Sequence, residues 1–90
     1  MYDRIKLFGR VQGVFFRDSA RRKGRSLGLS GYASNLRDGS LEIVAAGDTR
    51  KIQALFEWAK RGPIFARVER YEIDKVKIAE PLEGFKIKYD

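Results

Sequence analysis

The pair Asp38-Gly39 sits between two runs rich in strand-forming residues, GYASNLR before it and SLEIVAAG after it. An Asp-Gly pair flanked in this way is the strongest short-range hairpin signal a sequence offers, because both residues tolerate the backbone angles of a tight turn. The chain is therefore expected to fold around a central hairpin with strands over 30–37 and 40–46, and every other element has to be placed relative to it.

Upstream, residues 2–9 read as a strand with Ile5 and Leu7 on one face and Arg4 and Lys6 on the other. Phe16, Ala20, Gly24 and Leu27 then fall at i, i+4, i+8 and i+11, the apolar stripe of a helix whose other faces carry Arg21, Arg22, Lys23 and Arg25. A glycine inside a helix costs about 1 kcal/mol relative to alanine, so Gly24 in that stripe predicts close packing of helix on sheet. Gly28 ends the helix.

Downstream, Asp48 or Thr49 caps a second helix in which Ile52, Leu55, Phe56 and Ala59 form the buried face, with Trp58 packing on its edge and Gly62-Pro63 as the stop. Residues 67–78 are strand-like, but the apolar phase slips between Val68 and Tyr71 and again between Ile73 and Val76, which predicts a bulge or strong twist. The tail GFKIKY alternates, placing Phe85, Ile87 and Tyr89 inward and the lysines outward. The order β-α-β-β-α-β with a short terminal strand predicts an α+β, ferredoxin-like sandwich: an antiparallel sheet with two helices on one face, forming one domain over residues 1–90. That architecture hosts many functions, so function has to be read from the site.

Composition narrows the chemistry. The 90 residues include no cysteine and no histidine, which excludes disulfides, thiolate nucleophiles, the usual zinc sites and an imidazole general base. A hydrophobic content of 43% beside 34% charged residues reads as a soluble globular chain. No window reaches the eighteen or so apolar residues a membrane helix needs, and MYDRIKLFGR lacks the features of a signal peptide, so a cytoplasmic location is expected. The net charge of +7 is concentrated at the front, where residues 1–30 hold eight Lys or Arg against two Asp. Such a field suits nucleic acid, an anionic membrane or a small phosphorylated ligand, and it is equally compatible with a solvated helix face.

The segment GRVQGVFFR, Gly9 to Arg17, joins the first strand to the first helix. A loop in this position aims successive backbone N–H groups at the positive end of a helix, and Gly9 and Gly13 let the chain curl without a Cβ in the way. Arg17 stands where the helix begins, and its planar fork suits a phosphoryl group. Anion binding is thus plausible here, although a Gly-rich turn alone is a weak signal and no GK[ST] follows it. Taken singly, Arg17 reads more readily as a solvated helix charge and Asn35 as an ordinary strand-end or turn residue. Asp18 reads as a partner for the helix dipole rather than as a base, since adjacent helical residues point apart.

Together these segments resemble a known family. GRVQGVFFR resembles the signature of the acylphosphatases, GYASNLRDGSLEIVAAG resembles their second motif, and GPIFARVERYEI resembles the segment after their second helix. The similarity runs over nearly the whole chain. It implies a ferredoxin-like fold and hydrolysis of the carboxyl-phosphate bond of acyl phosphates, with no metal and no cofactor. Carried over by position, Arg17 is the phosphate-binding catalytic arginine and Asn35 positions the attacking water. The backbone amides of Gln12, Gly13, Val14, Phe15, Phe16 and Arg17 cradle the phosphate.

The expected partners are a small acyl phosphate and inorganic phosphate, the latter as product and inhibitor, with neither nucleic acid nor membrane, and the chain is expected to act as a monomer. Three positions depart from the family pattern: Tyr32 and Leu41, read as conservative core changes, and Ser34, where a basic residue is common and whose charge would lie near the site. An acyl phosphate also suits a chain without histidine or cysteine, because its carboxylate leaving group departs without a strong general acid. The rival reading is a basic ferredoxin-like module that binds RNA or a phosphometabolite without catalysis. Against RNA, the central strand GSLEIVAA lacks the aromatics that such modules stack on bases, although Tyr2, Phe8 and Tyr32 remain available for stacking.

Overall fold

The computed structural model describes residues 2–79 and 81–89. Seven elements follow in the order β1 (Tyr2–Arg10), α1 (Phe16–Ser26), β2 (Ser30–Asn35), β3 (Leu41–Ala46), α2 (Thr49–Arg61), β4 (Arg67–Val76) and β5 (Phe85–Lys88). The five strands form one sheet in the order β4-β1-β3-β2-β5. β1 pairs antiparallel with β3 and β4, and β3 pairs antiparallel with β2. The sheet is not wholly antiparallel, however: β5 joins β2 in parallel, with Gly31 opposite Phe85 and Ala33 opposite Ile87. Because β4 and β5 lie at opposite edges, the chain has to cross the sheet between them. Contacts of Leu82 N–H with the Tyr2 hydroxyl (3.4 Å) and of Gly31 N–H with the Gly84 carbonyl (2.9 Å) mark that crossing.

The helix stripes pack as their spacing dictates. Phe16, Ala20 and Gly24 of α1 and Ile52, Leu55, Phe56 and Ala59 of α2 are buried against Ile5, Leu7, Ala33, Leu41, Ile43 and Phe85 of the sheet. Gly24 marks the tightest contact, since a Cβ there would stand 2.3 Å from the Phe85 ring. Trp58 meets Phe16 edge-on at 5.6 Å between ring centroids. Phe16 itself is 1% exposed, and burying a side chain of that size stabilises by about 1.5–3 kcal/mol. The loop ahead of α1 is thus tied to the core through the first residue of the helix.

The helix ends differ in a way that matters for the site. Asp48 caps α2, its carboxylate accepting from the N–H groups of Arg50 (2.8 Å) and Lys51 (3.3 Å). α1 begins after Phe15 with no side-chain cap. At its other end, Gly28 N–H reaches the Arg25 carbonyl and Leu29 N–H reaches the Gly24 carbonyl, both at 3.0 Å, the Schellman pattern that Gly28 predicted.

Three details of the expected strands are corrected. The Asp38-Gly39 connection is not a two-residue turn: β2 stops at Asn35, β3 starts at Leu41, and the five-residue loop between them is closed by Leu36 N–H to the Ser40 carbonyl at 2.9 Å. Its geometry comes from the Asp38 carboxylate, which accepts from both the N–H (2.9 Å) and the hydroxyl of Ser40. That side-chain interaction with the residue two ahead widens the turn. In β4 the first phase slip is a bulge, because Phe8 faces Arg70 while Gly9 faces Val68, leaving Glu69 unpaired. The second slip is no irregularity: pairing continues unbroken from Ile73 to Val76, and Val76 turns to the open face of the sheet beside Tyr2. Finally, Tyr89 is not inward; it is 71% exposed, beyond the end of β5.

Candidate active site

The loop after β1 carries two residues with positive φ, Gly13 (φ 73°) and Phe15 (φ 62°, ψ 22°). Open space surrounds the position of a Cβ at Gly13, so glycine is required there by the backbone turn and not by crowding. Phe15 adopts the left-handed conformation without that freedom, at a cost of about 1–2 kcal/mol, while its ring is 75% exposed. Strain held at an exposed aromatic shows that the backbone path matters more here than side-chain burial. Gly9, expected to help the amides converge, instead belongs to β1. A Cβ on it would stand 2.2 Å from the Arg67 carbonyl, so it serves the close approach of β4 at the bulge.

These turns bring the loop to the start of α1, whose first N–H groups have no intrahelical acceptor. With no side chain capping them, they remain directed outward at the positive end of the helix dipole. Val11 (1% exposed), Phe16 and half-buried Val14 fasten the loop to the core. Gln12 fastens its outer side: Nε2 donates to the carbonyls of Leu36 (2.8 Å) and Ser40 (2.9 Å), joining the loop to the β2-β3 connection.

The resulting cleft has a volume of about 440 Å³. Gly13, Phe15, Arg17, Asp18 and Arg21 from the loop and α1 line it together with Asn35 at the end of β2 and with Ile87 and Tyr89. Arg17 and Asn35, far apart in sequence, therefore share one cavity. Arg17 has no carboxylate partner among the described residues; its guanidinium lies 5.0 Å from the centre of the Tyr89 ring. The Oδ1 atom of Asn35 is buried with no hydrogen-bond partner. A polar atom stranded in this way is costly in a folded protein unless a ligand or water meets it. Asp18 is held by Arg21 through Oδ1 and, at 3.0 Å, by Arg22 through Oδ2, so each of its carboxylate oxygens already has a cationic partner.

Ser34 does not enter the cleft. Strand alternation turns it to the face opposite Asn35, where it is 2% exposed and pairs with Glu42 and Lys88 in the sheet register. A basic side chain at that position would project from the other side of the sheet, so the expected loss of charge near the site does not arise. Leu41 is in the core as expected, whereas Tyr32 is buried on the open face with its hydroxyl donating to Glu42 at 3.0 Å. Buried in this way, the Tyr32 ring offers no stacking surface. Phe8 lies beneath the Arg70 guanidinium, 3.7 Å from the ring centre. Sequence reasoning missed the side-chain role of Gln12 and the place of Arg21 and Tyr89 in the cleft. Only for Arg21 did a signal exist, its spacing four residues beyond Arg17 on one helix face.

An uncapped helix start, a strained loop of amides and an unpaired arginine on a ferredoxin-like sheet define a class of small α+β sandwich built to hold an anion. Comparison with known proteins specifies it further. The family model Acylphosphatase matches residues 4–87. The acylphosphatase of Thermococcus kodakarensis is 48% identical over 83 residues, covering 92% of this chain and 90% of that protein. That of Methylococcus capsulatus is 43% identical over 86 residues, covering 96% and 94%. The crystal structure of the acylphosphatase from Bacillus subtilis aligns with a TM-score of 0.89 at 33% identity, covering 98% of each chain. The chain belongs to the acylphosphatase family. It is an enzyme that hydrolyses acyl phosphates to a carboxylate and inorganic phosphate.

Proposed function

We propose that Arg17 and the amides of residues 12–17 hold the phosphoryl group while Asn35 orients the water that attacks it. The observation that carries this assignment is the pairing, in one cleft, of an arginine without a carboxylate partner and a buried carboxamide oxygen without a donor. Phosphoryl oxygens carry the negative charge that the first needs, and a water molecule carries the hydrogen that the second needs.

In the reaction the water oxygen forms a bond to phosphorus as the bond between phosphorus and the acyl oxygen breaks, and the electron pair of that bond leaves with the carboxylate. The proton of the water passes to a phosphoryl oxygen and departs with inorganic phosphate. Arg17 and the amides stabilise the charge on the equatorial oxygens, and Asn35 fixes the line of attack, so catalysis rests on position and electrostatics. Asp18, already shared between two arginines, has no part in this proton transfer. The anionic product fits the same cradle as the substrate, and inorganic phosphate accordingly acts as a competitive inhibitor.

Action as a monomer belongs to the same proposal. The cytoplasmic location rests on the sequence alone. Hydrolysis of a synthetic acyl phosphate in oxygen-labelled water tests the mechanism: the label is expected in inorganic phosphate, and label in the carboxylate would refute attack at phosphorus.

A further inference from the structure

Arg17, Arg21 and Arg25 fall four residues apart along α1 and so share one face of the helix, the face turned to β5. Arg25 is committed, its Nε donating to the Phe85 carbonyl at 3.0 Å. Arg17 stands at the mouth of the loop beside Tyr89. Arg21 lies between them, lines the same cleft, and has no part in the reaction as derived. Its Nη2 pairs with Asp18, but Asp18 also holds Arg22, so the three groups together keep one net positive charge. The Nε of Arg21 is buried and has no hydrogen-bond partner. The guanidinium therefore retains both charge and unused donors next to the place where the acyl chain must lie if Arg17 holds the phosphoryl group.

We propose that Arg21 is a specificity-determining residue that binds a second anionic group on the acyl chain, so that the enzyme prefers acyl phosphates of dicarboxylic acids. Four residues of helix separate Arg21 from Arg17 by a rise of about 6 Å, a span suited to a short chain with the mixed anhydride at one end and a carboxylate at the other. The neighbouring Asp18 carboxylate does not oppose this, because its charge is more than balanced by Arg21 and Arg22. Phe15 and Ile87 supply apolar walls for the carbon chain between the two charged ends. The inference rests on the placement of the phosphoryl group at Arg17.

Steady-state kinetics with succinyl phosphate and butyryl phosphate, which share a carbon count and differ in the second carboxylate, test it. The wild-type enzyme is expected to favour succinyl phosphate in kcat/KM by about tenfold, the worth of one charge-assisted hydrogen bond, mainly through KM. Arg21→Gln is expected to bring the ratio close to one, and Arg21→Lys to keep part of it. Added salt should shrink the wild-type preference, a readout that depends on no variant. A wild-type ratio near one overturns the proposal, as does an equal loss of both substrates in Arg21→Gln, which would place Arg21 on the phosphoryl group or in the fold. Loss of butyryl phosphate turnover and of competition by inorganic phosphate in Arg17→Ala checks the Arg17 reading separately. If Arg17→Ala shows that loss while the wild-type ratio is near one, the subsite alone fails; if Arg17→Ala keeps both turnover and competition, the Arg17 reading fails and the subsite with it.

Discussion

Gln12 holds Leu36: its side-chain Nε2 donates to the Leu36 carbonyl at 2.8 Å and, with its other hydrogen, to the Ser40 carbonyl at 2.9 Å. Leu36 follows Asn35, so one neutral side chain connects the amide loop to the strand end that presents the carboxamide. Gln12→Ala removes one of the two donors on each carbonyl, leaving the Gly39 N–H on Leu36 and the Leu36 N–H on Ser40, and the loss of two hydrogen bonds is expected to cost about 1–3 kcal/mol of stability. Turnover should fall with it, because the two halves of the cleft lose their common fastening. Denaturant unfolding and kcat measured on the same preparation check this, and an unchanged midpoint would contradict it.

Arg17→Ala is expected to lower acyl phosphate turnover by about 10³-fold or more, the range seen when an arginine that stabilises a transferring phosphoryl group is removed. Inhibition by inorganic phosphate should disappear along with it. Arg17→Lys keeps the charge and loses the planar fork, so a partial recovery of phosphate binding with little recovery of kcat is expected. Retention of phosphate inhibition in Arg17→Ala would separate the arginine from the anion.

For Asn35→Ala the expected pattern is different. Turnover should drop by about 10²–10³-fold, as for the loss of one preorganised polar group, while inorganic phosphate still binds. Since Oδ1 is buried without a partner, deleting the side chain should leave stability unchanged or raise it slightly. A variant that loses activity, phosphate binding and thermal stability together would show Asn35 to be structural.

The open face of the sheet gives a prediction in alkali. Burial, reinforced by the adjacent Glu42 carboxylate, pushes the Tyr32 hydroxyl up to about 12. Its pKa in the unfolded chain is about 10. A raised value in the folded state means that the contribution is complete below pH 10 and is lost as the pH rises through 12. Arg4 stays charged throughout that window, its pKa raised by its hydrogen bond to Asp74 against some loss from burial. Absorbance titration of the phenols should show one late-ionising tyrosine that Tyr32→Phe removes, and the same substitution should flatten the fall in melting temperature between those pH values.

Much of this was legible in one sequence, for local reasons. The order of elements follows from periodicity, and Gly24 announced a contact at which a Cβ would meet the Phe85 ring. What escaped depended on partners far along the chain. Nothing local to FKIK says that β5 runs parallel to β2; the chain's crossing past Tyr2 settles that. The Asp38-Gly39 turn signal placed the hairpin correctly but not its width, because the Asp38 side chain competes for Ser40. Ser34 is a different case: the two-residue alternation of a strand already implied that it and Asn35 face opposite ways. At the site, motif residues were visible because they are local to the loop, whereas Gln12 reaches carbonyls 24 and 28 residues away.

The contrast between the two helix starts has a consequence for the enzyme outside catalysis. α2 satisfies its first amides with Asp48, and α1 leaves its own open. An anion that binds there binds the folded chain alone, so by linkage each rise in phosphate draws the population away from the unfolded ensemble, by about 2.7 kcal/mol at a hundred times the dissociation constant. With phosphate bound there as proposed, the protein is expected to be sturdiest where its own product accumulates, and its resistance to heat and proteases to follow how full the cleft is.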